Sequence, residues 1–175
     1  AKEKMKNRKT PIASFYANLM AFDGYYEKKW FPYTMPISDI YGLRAAFNLI
    51  AGDKTLYERH ARIGSATRAA VKEAGLKLHL QSGYSNTVTV FDIPECTDAK
   101  SILDEMRTKY NIMLAGSFDE LSGKVIRIGH MGENARLEHM VPALEALSAT
   151  LTDLGVTLQG NLADLFLKHY REFQD

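Results

Sequence analysis

The most constraining feature of the sequence is a short apolar segment that contains an arginine and is closed by glycines. Residues 123–132 read Gly-Lys-Val-Ile-Arg-Ile-Gly-His-Met-Gly, with Arg127 inside the apolar run. The pattern predicts a β-strand, in which an arginine is costly unless a partner neutralises its charge. The planar guanidinium suits a carboxylate or a phosphate in two-point contact. The segment therefore indicates either a ligand carboxylate on Arg127 or a structural ion pair with an Asp or Glu of the chain.

The size and charge of the chain restrict its class. Its 175 residues are enough for a buried core, and its formal net charge of +1 at pH 7 gives no basis for nucleic-acid binding. No apolar run approaches the ~20 residues of a membrane span, and no signal-peptide pattern is present. The single cysteine, Cys96, fits a reducing, cytoplasmic location. The chain begins with alanine in a charged stretch, which we interpret as a sign of a fragment or a processed product.

Residues 1–36 have an unusual composition for the start of an independent domain. Eight aromatic side chains lie between residues 15 and 33. Pro32 and Pro36 disfavour a helix there, so we expect an extended segment. So many aromatic rings need a surface to bury against. They would cover either a neighbouring domain or subunit, or the chain's own core.

Residues 37–175 alternate between helical and strand patterns. Helices are predicted from Ser38 to Gly52, Asp53 to about Ala74, Thr97 to about Lys109, Asn134 to about Leu154 with a kink at Pro142, and Leu158 to Phe173. Strands are predicted at residues 76–80, 87–93, 112–115 and 125–129. Strand pairs between helices predict an α+β two-layer sandwich, with a mostly antiparallel small sheet and helices packed on one face.

Three further residues carry weaker signals. Thr34 lies in a proline-framed loop just before a helix, where anions tend to bind, or it is an ordinary turn threonine. His60 has the pattern of a surface or packing histidine rather than a catalytic one, and Cys96 that of an inert turn residue. The histidines show no metal-ligand spacing with carboxylates or cysteine, so no metal site is predicted.

Several motifs together resemble a known family. The segments Phe31–Pro36, Tyr41–Ala46, Glu58–Arg62, Ser85–Val90, Ile112–Gly116 and Gly123–Gly132 stand in the order found in class V, fold-type I pyridoxal-phosphate aminotransferases of the alanine–glyoxylate and serine–pyruvate type. The resemblance covers about residues 10–155. It implies that residues 37–175 are the C-terminal small domain of such an enzyme and that residues 1–36 are an aromatic-rich lead-in or interdomain segment.

The resemblance also implies roles for individual residues. Arg127 would bind the substrate α-carboxylate, and Thr34 would reach across a dimer interface to the cofactor phosphate of the partner subunit. Phe31 stands where family members often have a tyrosine, and residues 115–117 read Ala-Gly-Ser in place of the family's Ala-Gly-Gly turn. The family's Schiff-base lysine belongs to the large domain, and no lysine of this chain has that context. We therefore expect no catalytic residue here, no covalent attachment of pyridoxal 5'-phosphate and no activity of the chain alone.

Two function hypotheses follow. The resemblance implies a homodimeric enzyme, completed by a missing large domain, that moves an amino group between a small amino acid of the alanine or serine type and a 2-oxo acid of the pyruvate or glyoxylate type. The alternative is a free-standing α+β ligand-binding or regulatory module in which Arg127 recognises a small carboxylate.

Overall fold

The chain forms two units, and the first consists of helices and contacts between aromatic side chains. In the computed structural model, which describes residues 1–173, the chain divides after Gly52. The first unit contains helices α1 (Lys2–Lys6), α2 (Tyr25–Lys28) and α3 (Ile37–Gly52), and a 3-10 helix at Leu19–Phe22. Assignment of residues 37–175 to one aminotransferase domain stays a prediction.

The aromatic side chains of the first unit pack against each other. Tyr33 contacts Phe15 and Tyr16 at ring-centroid distances of 5.3 and 5.2 Å, and its hydroxyl donates to the Phe15 carbonyl at 2.6 Å. The expectation of an extended segment is wrong where residues 19–22 and 25–28 form two single-turn helices ahead of Pro32. The second of them ends at Lys28, and the next residue, Lys29, has a φ of 51° in the left-handed region that stops a helix.

Helix α3 is rich in apolar residues and exposed along its whole length. It begins one residue before the predicted start and ends at Gly52, as predicted. All of its residues are exposed, including Tyr41, Leu43, Phe47 and Leu49. Exposed apolar side chains in such number are typical of a surface that another chain or domain covers. No helix of residues 1–173, α3 included, is both long and apolar enough to cross a membrane.

The second unit, from Asp53 onward, contains a small sheet and four helices. Its elements in chain order are α4 (Leu56–Glu73), β1 (Val88–Asp92), α5 (Ala99–Tyr110), β2 (Val125–Gly129), α6 (Leu137–Asp153) and α7 (Leu162–Glu172), with short 3-10 helices at Asp119–Leu121 and Gly132–Asn134. Helix α4 packs on α7 and on β1, while α6 packs on α5 and α7. The predicted fold class is confirmed.

The two strands pair antiparallel and have one buried face. Thr89 lies opposite Ile128, and Phe91 lies opposite Ile126. These four side chains are at most 2% exposed. Because successive side chains of a strand point to opposite faces, the residues between them line the other face of the sheet. Phe91, Ile126 and Ile128 join the core cluster that includes α4, α5, α6 and α7.

The sheet has fewer strands than the sequence pattern predicts. Residues 76–80 and 112–115 form single bridges, Leu78 to Phe91 and Ala115 to Arg127, instead of full strands. Both segments still exchange backbone hydrogen bonds with the sheet, since His79 N–H donates to the Val90 carbonyl at 3.0 Å. The alternation at residues 76–80 and the apolar run at residues 112–115 therefore located the edge segments, but each segment pairs with the sheet at a single bridge instead of forming a ladder.

Helix starts are less accurately predicted than helix ends. Asp98, not Thr97, caps α5, and its carboxylate accepts from Ser101 N–H at 3.0 Å. Helix α6 begins at Leu137 because Asn134 belongs to a separate 3-10 turn. Asp53 accepts from Thr55 N–H ahead of α4, and the N-cap is Thr55. Ahead of α4 and α5 several capping residues stand close together, and the sequence alone does not rank them. Helix α6 instead follows Arg136, which makes no side-chain cap, so no capping residue marks its start.

Candidate carboxylate-binding site

Strand β2 places Arg127 on the half-buried face of the sheet. The residue lies opposite Val90, and its N–H donates to the Ala115 carbonyl at 2.7 Å. Its neighbours Ile126 and Ile128 point into the core. Alternation along the strand therefore directs the Arg127 side chain away from the core.

The guanidinium group of Arg127 is held on one side only. Its Nε donates to the Gly116 carbonyl at 2.5 Å, and its Cζ lies 5.2 Å from the centroid of the Phe118 ring. Within residues 1–173 no Asp or Glu pairs with Arg127. The structural ion pair that the sequence left open is therefore absent from the described part of the chain. Nε thus fixes the guanidinium group, and its two terminal nitrogens have the geometry to bind a carboxylate in two-point contact.

Arg127 lines a cleft of about 620 Å³. The walls are the segment 112–115, the end of β2 and the beginning of α6. Most of the lining is apolar, from Ile112, Leu114, Met131, Met140 and Pro142, while Asn134, Glu138 and His139 add polar groups. A largely apolar cleft with one convergent cation is a common form of site for a small organic acid.

His130, the residue that follows β2, has a structural role. Its side chain is fully buried, with Nε2 2.9 Å from the Thr89 hydroxyl and Nδ1 3.1 Å from the Asn86 carbonyl. Nδ1 must donate to the carbonyl, because a carbonyl oxygen can only accept, and in the neutral ring Nε2 then accepts from the hydroxyl. Burial lowers the pKa of His130 to about 4. The ring therefore fastens the end of β2 to β1 and carries no charge near neutral pH.

His60 is held in a similar way from the other side. It is 9% exposed on α4, its Nδ1 lies 2.7 Å from the Leu56 carbonyl, and its Nε2 accepts from Gly132 N–H at 3.0 Å. Both ring nitrogens have backbone partners, as the interpretation of a packing histidine requires. Sequence reasoning missed that this residue and His130 flank the same turn, because the hydrogen bonds join positions far apart in the chain.

Thr34, the other predicted site residue, belongs to the first unit. Its side chain is exposed, three residues before α3. Phe31, which replaces the family's tyrosine, packs its ring edge-on against Phe22 at 5.4 Å and against Tyr25 at 6.1 Å. Because the phenyl ring offers no donor, Thr34 is the only residue of this loop segment that the resemblance assigns to a phosphate. Its role stays a prediction.

Cys96 and the remaining histidines lie outside the cleft or at its edge. Cys96 is exposed, and its thiol is free. His79 pairs with Asp92 at 2.7 Å, and His169 pairs with Glu73 at 2.5 Å. In the described residues no group of three His, Cys, Asp or Glu side chains is arranged to hold a metal ion.

Comparisons with known proteins show what this α+β unit, with one arginine in a largely apolar cleft, is similar to. No protein-family model matches the sequence. The chain is 39% identical over 131 residues to a serine–glyoxylate aminotransferase of Methylorubrum extorquens, a match covering 73% of this chain and 32% of that protein.

Solved structures of aminotransferases are also similar to this chain. The ureidoglycine–glyoxylate aminotransferase of Bacillus subtilis superposes with a TM-score of 0.87 at 30% identity, over 97% of this chain and 45% of that one. The pyridoxamine–pyruvate aminotransferase of Mesorhizobium loti superposes with a TM-score of 0.84, also at 30% identity and over the same shares. The resemblance drawn from the motifs is thus confirmed: this chain is related in sequence and fold to the class V aminotransferases. It spans about a third of the length of the curated relative.

Proposed function

We propose that this chain is the C-terminal small domain of a pyridoxal-phosphate-dependent aminotransferase, with residues 1–36 as its lead-in and residues 37–175 as the domain itself. The enzyme would move an amino group between a small amino acid and a 2-oxo acid of the pyruvate or glyoxylate type. The observation that carries the proposal is Arg127, which lines the apolar cleft and whose guanidinium has no acidic partner in residues 1–173.

The names of the relatives support the proposed class of amino-group acceptor more than the proposed class of amino-group donor. Serine, ureidoglycine and pyridoxamine differ in size and charge, whereas glyoxylate and pyruvate are both small 2-oxo acids. A 2-oxo acid offers a planar carboxylate, which the fork of Arg127 matches in two-point contact. Arg127 would therefore bind and orient the carboxylate of the oxo acid and of any amino acid that carries one. Gly116 and Phe118 would hold the guanidinium in place for it.

The residues present fit one contact with the cofactor. The Thr34 side chain is exposed and makes no hydrogen bond within the described chain, so its hydroxyl is available to a phosphate oxygen. The neighbouring aromatic cluster adds no charged group. When bound, pyridoxal 5'-phosphate would supply the carrier for the amino group, and Thr34 would contribute to anchoring its phosphate. Attachment to a lysine would be the task of the large domain.

Two partners complete the proposed enzyme, a large domain and a second subunit. The longer relatives support the first. The exposed apolar length of α3 supports a covered surface, since Leu43 and Leu49 are 71% and 77% exposed. Docking of Thr34 on the phosphate of the partner subunit would bring this surface into the dimer. A cytoplasmic location belongs to the same proposal, supported by the single free cysteine.

The proposal is tested on the complete gene product. We expect the purified protein to convert glyoxylate to glycine when serine or alanine is the donor, and pyruvate to alanine when serine is the donor, with product measured by chromatography. A control reaction without an amino donor should give no product. The alternative, a free-standing module for a small carboxylate, predicts instead that the complete product is this chain alone, that it binds pyruvate in calorimetry, and that no donor gives turnover.

The Thr34 contact gives a separate prediction. In the complete enzyme, Thr34→Val should weaken cofactor retention by about 1.5–3 kcal/mol, the net value of one hydrogen bond to a charged group. The measurement is the dissociation constant of pyridoxal 5'-phosphate by absorbance titration. Thr10→Val, at another exposed threonine of the first unit, is the matched control and should leave the constant unchanged. An unchanged constant in Thr34→Val would remove this residue from the site.

A further inference from the structure

The turn that follows Arg127 is fastened at both ends by histidines. Residues Gly129–Gly132 connect β2 to the 3-10 turn before α6, and Met131 of this turn lines the cleft beside Arg127. His130 fastens the turn to β1 through the Thr89 hydroxyl. Gly132 has φ of +59°, a conformation that favours glycine, and its N–H points to His60.

Helix α4, which carries His60, packs closely against the chain near this turn. A Cβ added to Gly64, one turn further along α4, would lie 3.2 Å from backbone atoms of Asn86. The Asn86 carbonyl is the group that His130 Nδ1 reaches at 3.1 Å. Helix α4 therefore meets the turn at Gly132 and meets the residue that supports His130. This leaves little room for either contact to shift independently of the other.

We propose that His60 is a positioning residue for Arg127: its ring, with Nδ1 donating to the Leu56 carbonyl and Nε2 accepting from Gly132 N–H, fixes the turn that sets the end of β2 and one wall of the cleft. The role in catalysis rests on the proposed function, because it matters only if Arg127 binds substrate. The geometric part stands on the chain itself. A buried ring with two backbone partners has one tautomer and one orientation.

Side chains of different reach separate this role from simple packing. Glutamine at position 60 places its terminal oxygen about where Nε2 lies, so it retains an acceptor for Gly132 N–H. Asparagine is shorter, so its amide can still donate to the Leu56 carbonyl but cannot reach Gly132 N–H. The pair His60→Gln and His60→Asn therefore changes one contact at a time. His169→Asn, at a histidine of α7 that pairs with Glu73 and does not line the cleft, is the control for loss of an imidazole.

The first measurement uses the isotopically labelled chain in solution. In the wild type, ring nitrogen shifts should show a protonated Nδ1 and an unprotonated Nε2 on His60. His60→Asn should speed hydrogen exchange of the Gly132 amide by about fivefold or more, the equivalent of one neutral hydrogen bond, and should move the Arg127 Nε–H resonance. His60→Gln and His169→Asn should stay near the wild type. Core resonances such as those of Phe91 report whether each variant is folded.

The second measurement uses the complete enzyme. His60→Asn should raise the KM for the 2-oxo acid by about fivefold with kcat little changed, and His60→Gln should restore it. A protonated Nε2, or unaltered Gly132 exchange in His60→Asn, overturns the geometric part of the proposal. If His60→Asn loses the Gly132 contact but keeps the wild-type KM, the proposed positioning of Arg127 is overturned. If the wild type shows no transamination, the proposed function fails, while the solution measurement still decides whether His60 fixes the turn and Arg127.

Discussion

Arg127→Ala in the complete enzyme is expected to raise the KM for the 2-oxo acid by about 30- to 150-fold, which corresponds to about 2–3 kcal/mol for a charged hydrogen-bonded contact. The guanidinium is the one cation that lines the cleft, and in residues 1–173 it has no acidic partner to take over its role. Its removal leaves the substrate carboxylate without a counter-charge beside apolar walls. Steady-state kinetics over a range of pyruvate and glyoxylate concentrations measure the effect.

Two companion variants make the result specific. Arg127→Lys keeps the charge and loses the planar fork, so its KM should lie between those of the wild type and the alanine variant. Arg107→Ala is the control, because Arg107 is an exposed arginine that pairs with Asp104 on α5. Its KM should equal that of the wild type. Amino acids with different side chains should be affected alike by Arg127→Ala, since they share the α-carboxylate. A wild-type KM in Arg127→Ala would contradict the proposed site.

Acidification from pH 7 to pH 5 is expected to lower the free energy of unfolding by about 2 kcal/mol through His130 alone. Burial lowers the pKa of this ring to about 4 in the folded chain, against an ordinary value of 6.5. The folded state therefore binds fewer protons than the unfolded state between these two values. Its contribution is fully present above pH 6.5 and is lost as the pH falls through about 4. Urea unfolding of the chain at pH 7, 6 and 5 measures the slope.

The comparison with His130→Gln isolates this contribution. Glutamine does not titrate, so the variant should be less stable at pH 7 and should lose about 2 kcal/mol less than the wild type on acidification. His139→Gln removes an exposed histidine and should retain the wild-type slope. Paired carboxylates such as Asp92, whose pKa is lowered by Lys77 and His79, titrate at lower pH and affect all three proteins equally. Equal slopes in the wild type and His130→Gln would show that the ring is not held neutral.

Much of the architecture follows from local patterns. Helical spacing located α3 to α7, and β-rich or apolar segments bounded by turn residues located β1 and β2. Glycine follows two of the helix ends, since Gly75 and Gly155 both have positive φ just beyond them. Patterns of this kind succeed because they reflect interactions between residues a few positions apart, which the chain makes wherever it goes.

The sequence by itself thus determined the α+β class and the strand that carries Arg127. Only the tertiary structure decided that Arg127 has no ion-pair partner in the described residues, and that the edge segments are single bridges. It also decided that His60 and Gly132, 72 residues apart, share a hydrogen bond. The physical reason is range: hydrogen bonds and ion pairs act over a few ångströms, so between distant positions they exist only where the packing of the whole unit brings donor and acceptor together.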